Sequence, residues 1–139
     1  MVNKWNQLRS EFSLLKNLRV PRWILSEDVS SLSLHGFCDA SERGYACAVY
    51  LRIGPLCMDT DDCFKCFLVC AKTKVAPLKK ISIPRLELAA AVLLSELLEF
   101  VIKTYQGKLQ FSDIFAWSDS MVALNWIKSP PCRWKTIGF

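Results

Sequence analysis

The run from Leu86 to Ile102 restricts this chain more than any other segment. It is rich in leucine and alanine and interrupted by the acids Glu87, Glu96 and Glu99, which make it a poor membrane span and a good buried helix. Pro84 stands where a first helical turn tolerates the missing N–H, and Gly107 supplies a stop, so the expected helix is Leu86 to Tyr105.

The rest of the chain can supply a core for that helix. At 139 residues and 52% hydrophobic it has the size and apolar content of one globular domain. Its 22% charged content, five tryptophans and few glycines and prolines argue against disorder. The formal charge of +5 is concentrated: from Lys65 to Arg85 six basic residues occur with no acid between them. That pattern suits a polyanion or, equally, a solvated hairpin surface. Seven cysteines, an odd number, without a leading signal peptide point to free thiols in a reducing compartment, cytoplasm or nucleus. No membrane association is expected.

Ahead of the long helix, Trp5, Leu8, Phe12, Leu15 and Leu18 recur at helical spacing until Pro21, which predicts an amphipathic linker helix. Alternation begins at Leu32: one strand runs to Asp39, a turn covers Ser41 to Gly44, and a second strand spans Tyr45 to Leu51. A polar loop around Gly54 and Pro55 leads to a third strand, Cys63 to Lys74. After Gly107, Phe111 to Trp117 reads as a fourth strand and Ser120 to Lys128 as a helix stopped by Pro130 and Pro131. The order is β-β-β-α-β-α, an α/β arrangement opening with an antiparallel meander.

Three acids fall at element ends. Asp39 closes the first strand, Glu87 is expected in the first turn of the long helix, and Asp119 follows the fourth strand. A helical side chain leans toward its own N-terminus, so Glu87 can reach past the helix end toward strand-end carboxylates, a hard oxygen set that suits magnesium. Each acid also has an ordinary reading: Asp39 as a turn-former, Glu87 as a dipole-favoured residue, Asp119 as an N-cap. Metal chemistry requires convergent ligands, so the three are expected to meet at one end of a mixed sheet, with Glu87 and Asp39 on the same face and at least one carboxylate pKa raised by mutual repulsion.

The words around these acids are more specific. Leu34-His35-Gly36-Phe37-Cys38-Asp39-Ala40-Ser41, Ile83-Pro84-Arg85-Leu86-Glu87-Leu88-Ala89-Ala90, Trp117-Ser118-Asp119-Ser120 and Ala123-Leu124-Asn125-Trp126-Ile127 closely resemble the ribonuclease H region of Pao/BEL-type LTR retrotransposon polyproteins, over roughly Leu32 to Thr136. The resemblance implies a ribonuclease H-like mixed sheet, with residues 1–31 as linker helix and connector and 32–139 as the domain. It implies Asp39, Glu87 and Asp119 as catalytic residues and ligands of Mg2+ or Mn2+. The partner implied is an RNA:DNA hybrid or other nucleic acid, held by Lys72, Lys74, Lys79, Lys80 and Arg85, with a reverse transcriptase region upstream in the parent polyprotein. The family continues past a Trp-Lys-Thr like Trp134-Lys135-Thr136 into a fifth strand and a last helix with a fourth carboxylate. Their absence here predicts a truncated domain that binds metal weakly and cuts poorly. The alternative is a catalytically dead, nucleic-acid-binding remnant or host-adopted fragment.

Other candidates reduce to structure. Cys63, Cys66 and Cys70 lack a fourth ligand and are expected to be buried, with Cys66, Leu68 and Cys70 on one face. Asp59, Asp61 and Asp62 lack the glycine and glutamate of a calcium loop. His35 is expected to be structural, and Trp117 and Trp126 to pack in the core, with Trp134 a possible exception. Such sequences are also grouped under a Pao retrotransposon peptidase name, but neither Asp39 nor Asp119 sits in the Asp-Ser/Thr-Gly loop of an aspartic protease, so that chemistry is excluded.

Overall fold

The computed structural model describes residues 2–17, 19, 31–54 and 64–130. Four strands form one mixed sheet: β1 (Ser31–Ser41), β2 (Gly44–Gly54), β3 (Lys65–Val75) and β4 (Asp113–Ser118), in the order β3-β2-β1-β4. β1 pairs antiparallel with β2 through the two-residue turn Glu42–Arg43, and β2 pairs antiparallel with β3. β4 returns parallel to β1, which a tight turn cannot achieve; the crossover is the long helix α2 (Ile83–Tyr105).

α2 buries Leu86, Ala90, Leu93, Leu94, Leu98 and Val101, a stripe at helical spacing, against β1 and β2. Opposite it lie Leu32, Leu34 and Cys38 of β1, with Cys47, Val49, Leu51 and Ile53 of β2, all buried. Each large side chain taken fully out of water here contributes about 1.5 to 3 kcal/mol. Gly36 lies in the middle of this face because α2 sits close above it: a Cβ at that position would come within 2.6 Å of Leu94 Cδ1.

Alternation gives β1 a second face, Ser33, His35, Phe37 and Asp39, on which no described helix packs. Here Phe37, Phe115 and Trp117 are 46%, 41% and 49% exposed. Trp117, expected in the core, is therefore a surface residue, because its register with Phe37 fixes it on the side away from α2. Trp126 in α3 (Met121–Lys128) is half-buried.

The cysteine expectation for β3 also fails. A register irregularity between Val49 and Tyr50 pairs Val49 with Cys70 but Tyr50 with Leu68, so one extra β3 residue is accommodated and the alternation reverses across it. Cys70 packs against the core on the α2 side, whereas Cys66 pairs with Arg52 and is exposed. The N-terminal segment divides into α1 (Val2–Glu11) and a 3-10 helix, Phe12–Asn17, and Trp5, Leu8, Phe12 and Leu15 are exposed. Cys63, the acids Asp59, Asp61 and Asp62, and Trp134 lie outside the described residues. Among the described residues no helix is long and apolar enough to cross a membrane.

Candidate carboxylate site and nucleic-acid surface

Chain direction builds the site. β1 runs toward Asp39, β2 starts beside it at Gly44, β3 returns to the same end at Val75 opposite Gly44, and β4, parallel to β1, arrives there at Ser118. Residues 76–82 then lead into α2, anchored to the hairpin turn by the Ala76 N–H donating to the Arg43 carbonyl oxygen at 2.9 Å. The end of β1, the end of β4 and the start of α2 therefore share one end of the sheet.

All three acids are at this end, but the expectation that Glu87 and Asp39 share a face is not met. Asp39 alternates away from α2, and it lines an open depression of about 620 Å³ together with Phe37, Ala48, Thr73, Trp117 and Asp119. Glu87 approaches from the α2 side. It also lies deeper in the helix than its sequence reading: Ser82 is the N-cap and Ile83, Pro84 and Arg85 make up the first turn, which places Glu87 in the second. The carboxylates thus approach one another around the strand ends and not across one surface of the sheet.

Electrostatics records the convergence. The Glu87 carboxyl is pushed above its usual range by burial first, then by the negative charges of Asp119 and Asp39. One carboxylate in the group is therefore raised, with the other two acids adding to an effect that burial leads. Among the described residues, however, no three of His, Cys, Asp and Glu are gathered tightly enough to hold an ion as they stand. The donor chemistry fits a hard divalent cation, and closing a shell around one requires side-chain movement.

The ordinary readings of the acids fare differently. Asp39 does make a local contact, its Oδ1 accepting from the Ala40 N–H at 2.7 Å. Asp119 is not the N-cap of α3; Ser120 is, its Oγ accepting from the Ala123 N–H at 3.2 Å. Sequence reasoning passed over Ser120, although serine is among the preferred caps and stands directly before the helical run.

The basic residues collect at the same end by the same chain path. Lys72 and Lys74 are on the α2 side of β3, Lys79 and Lys80 in the connector, and Arg85 in the first turn of α2, all exposed. His35 has a structural place, as expected. Its ring stacks on Phe115 with centroids 4.9 Å apart, and its Nδ1 accepts from the Trp117 indole N–H at 3.4 Å. The neutral ring then carries its proton on Nε2, 3.1 Å from the Ser33 hydroxyl oxygen.

The sequence profile of the Pao retrotransposon-like RNaseH-like domain matches residues 1–120, from α1 through the last of the three acids. This match takes in the N-terminal segment that the local resemblance left aside and stops before α3. Neither the curated proteins nor the solved structures yield a match to the chain. With most of its length matched, and with a mixed β3-β2-β1-β4 sheet crossed by α2, the chain belongs to the Pao retrotransposon-like RNaseH-like domain family.

Proposed function

We propose that this domain hydrolyses the RNA strand of an RNA:DNA hybrid, as the ribonuclease H region of a retrotransposon polyprotein, with Asp39, Glu87 and Asp119 holding Mg2+ or Mn2+. The observation that carries this reading is geometric: the end of β1 with Asp39, the end of β4 with Asp119 and the start of α2 with Glu87 share one end of the sheet, and Asp39 and Asp119 line one depression there. Bound divalent ions would supply an activated water and would stabilise the leaving oxygen, the task two such ions perform in phosphodiester cleavage.

The chain's own residues do the rest. Asp39 in β1 and Asp119 just past the end of the neighbouring parallel strand β4 present oxygens in a shared depression. Glu87 stands on the helix side and would join the group by reaching past the strand ends at which α2 begins. Lys79 and Lys80 in the connector, with Lys72, Lys74 and Arg85 beside them, meet the phosphates of the duplex and orient it toward the acids. The upstream partner in this reading is a reverse transcriptase region.

The open spacing of the acids supports weak metal affinity and slow cutting, and leaves a second reading in which the domain binds nucleic acid without cleaving it. One assay separates the two: magnesium-dependent cleavage of a labelled RNA:DNA duplex by the 139-residue chain, beside Asp39→Asn. Cleavage at a low rate, abolished by that substitution, is the expected result. Binding without any cleavage, weakening as salt rises because counterion release drives it, would select the second reading. Neither binding nor cleavage would sink both.

A further inference from the structure

Asp119 is the single residue between the end of β4 and the cap of α3, and both of its neighbours are pinned. Ser118, the last residue of β4, is in register with Cys38, the residue before Asp39. The Cys38 thiol donates to the carbonyl oxygen of Trp117 at 3.6 Å, tying the two strand ends together. Ser120 on the other side is buried, at 8% exposure, and is the only polar residue among the described ones to be so. Its N–H donates to the Ser118 hydroxyl oxygen at 3.3 Å, and its own oxygen accepts from the Ala123 N–H. Ala123 is fully buried, so this cap is fastened to the interior and not to a free helix end.

We infer that Ser120, backed by Ser118, is a positioning residue that fixes the direction of the Asp119 side chain; the functional part of this inference rests on the metal reading proposed above. The physical reason is the shortness of α3. Eight residues make a helix with little intrinsic stability, so its first turn depends on the cap and on packing. Without the Ser120 oxygen the first turn frays, and the exposed Asp119, joined directly to it, turns with it. A carboxylate that wanders cannot complete a ligand set that already has to close around its ion.

The test uses the full 139-residue chain. Mn2+ affinity is measured by electron paramagnetic resonance of the free ion, and the order of the Asp119 amide by nitrogen-15 relaxation. Ser120→Ala should weaken Mn2+ binding about 10-fold, the low end for losing a support behind a metal ligand, and should lower the Asp119 order parameter. Ser120→Thr, which keeps a capping oxygen, should restore both. Ile127→Gly, which weakens α3 at its far, exposed end, should leave both unchanged. Unaltered binding in Ser120→Ala, or an equal loss in Ile127→Gly, would overturn the positioning role. If the unsubstituted chain itself shows no Mn2+ binding that depends on Asp39, the metal reading fails separately. The order parameter then decides alone: a drop in Ser120→Ala and not in Ile127→Gly upholds the clamp, and no drop overturns it. Should Ser120→Ala not fold, Ser118→Ala, which removes the acceptor for the Ser120 N–H, replaces it with the same expectations.

Discussion

The two faces of β1 have opposite histories of burial. Leu32, Leu34, Gly36 and Cys38 look toward α2 and are buried, while His35, Phe37 and Asp39, one residue out of step, are half-buried or exposed. The helix side is filled by aliphatic residues interlocking with Leu93, Leu94, Leu98 and Val101. The other side is an aromatic row in which His35, Phe115, Trp117 and Phe37 stack at centroid distances from 4.9 to 6.4 Å, with Tyr50 edge-on to Phe37. Aromatic pairs contribute roughly 0.5 to 1.5 kcal/mol beyond area burial, but these rings remain partly in water, so most of their transfer energy is not realised. Stability is therefore concentrated on one face, while two of the three acids project from the other.

The contrast is broken most directly by truncating one residue on each side. Leu34 is fully buried, and Leu34→Ala should cost about 2 to 5 kcal/mol in lost transfer energy and cavity. Phe115→Ala removes a larger side chain that is already 41% exposed, and should cost less, about 1 kcal/mol. Urea denaturation of both variants measures the difference. Equal losses would mean that the aromatic face contributes as much as the helix face.

A substitution that adds volume sharpens the same point. Gly36→Ala places a methyl 2.6 Å from Leu94 Cδ1 and 3.2 Å from Leu98 Cδ1. Those atoms end flexible side chains, so the strain is shared by rotation, and a loss of about 1 to 3 kcal/mol is expected. Leu94→Ala in the same chain should recover part of it. The double variant should therefore be more stable than the sum of the single losses allows, and an additive result would mean that α2 does not ride on Gly36.

Why the helix face was legible in the sequence and the aromatic face was not follows from how each is encoded. The α2 stripe is a local period, and the hairpin is marked by strand alternation around Glu42–Arg43, so both are written in consecutive residues. The side on which Trp117 falls depends on the parallel register of β4 with β1, which no local pattern carries. Cys66 and Cys70 were separated by one irregularity opposite Val49 and Tyr50, and a single extra residue inverts every later assignment of face. The three acids were found through the words surrounding them, and their shared end follows from strand order. Their split between faces does not, because Asp39 has its orientation from Cys38 packing under α2, and Glu87 its depth from where Ser82 starts the helix.

The smallest expected effect is a pH dependence confined to the aromatic face. The His35 imidazole has its pKa lowered, by burial first and then by the positive charge of Arg52. The unfolded chain, with the ordinary value near 6.5, binds the proton more readily than the folded one. Stability is therefore complete above that value and declines as pH falls below it toward the folded pKa. Structure gives the same sign, since protonating Nδ1 removes the acceptor for the Trp117 indole N–H. His35→Phe keeps a ring against Phe115 and Trp117 but cannot titrate. Denaturation midpoints taken from pH 7.5 down to 5.5 should fall more steeply for the unsubstituted chain than for this variant. The variant also isolates His35 from Glu87, whose raised carboxyl titrates in both chains alike. Parallel curves would show that His35 changes protonation at no cost to the fold, and that the contact between its ring and Trp117 is not what orders the uncovered face.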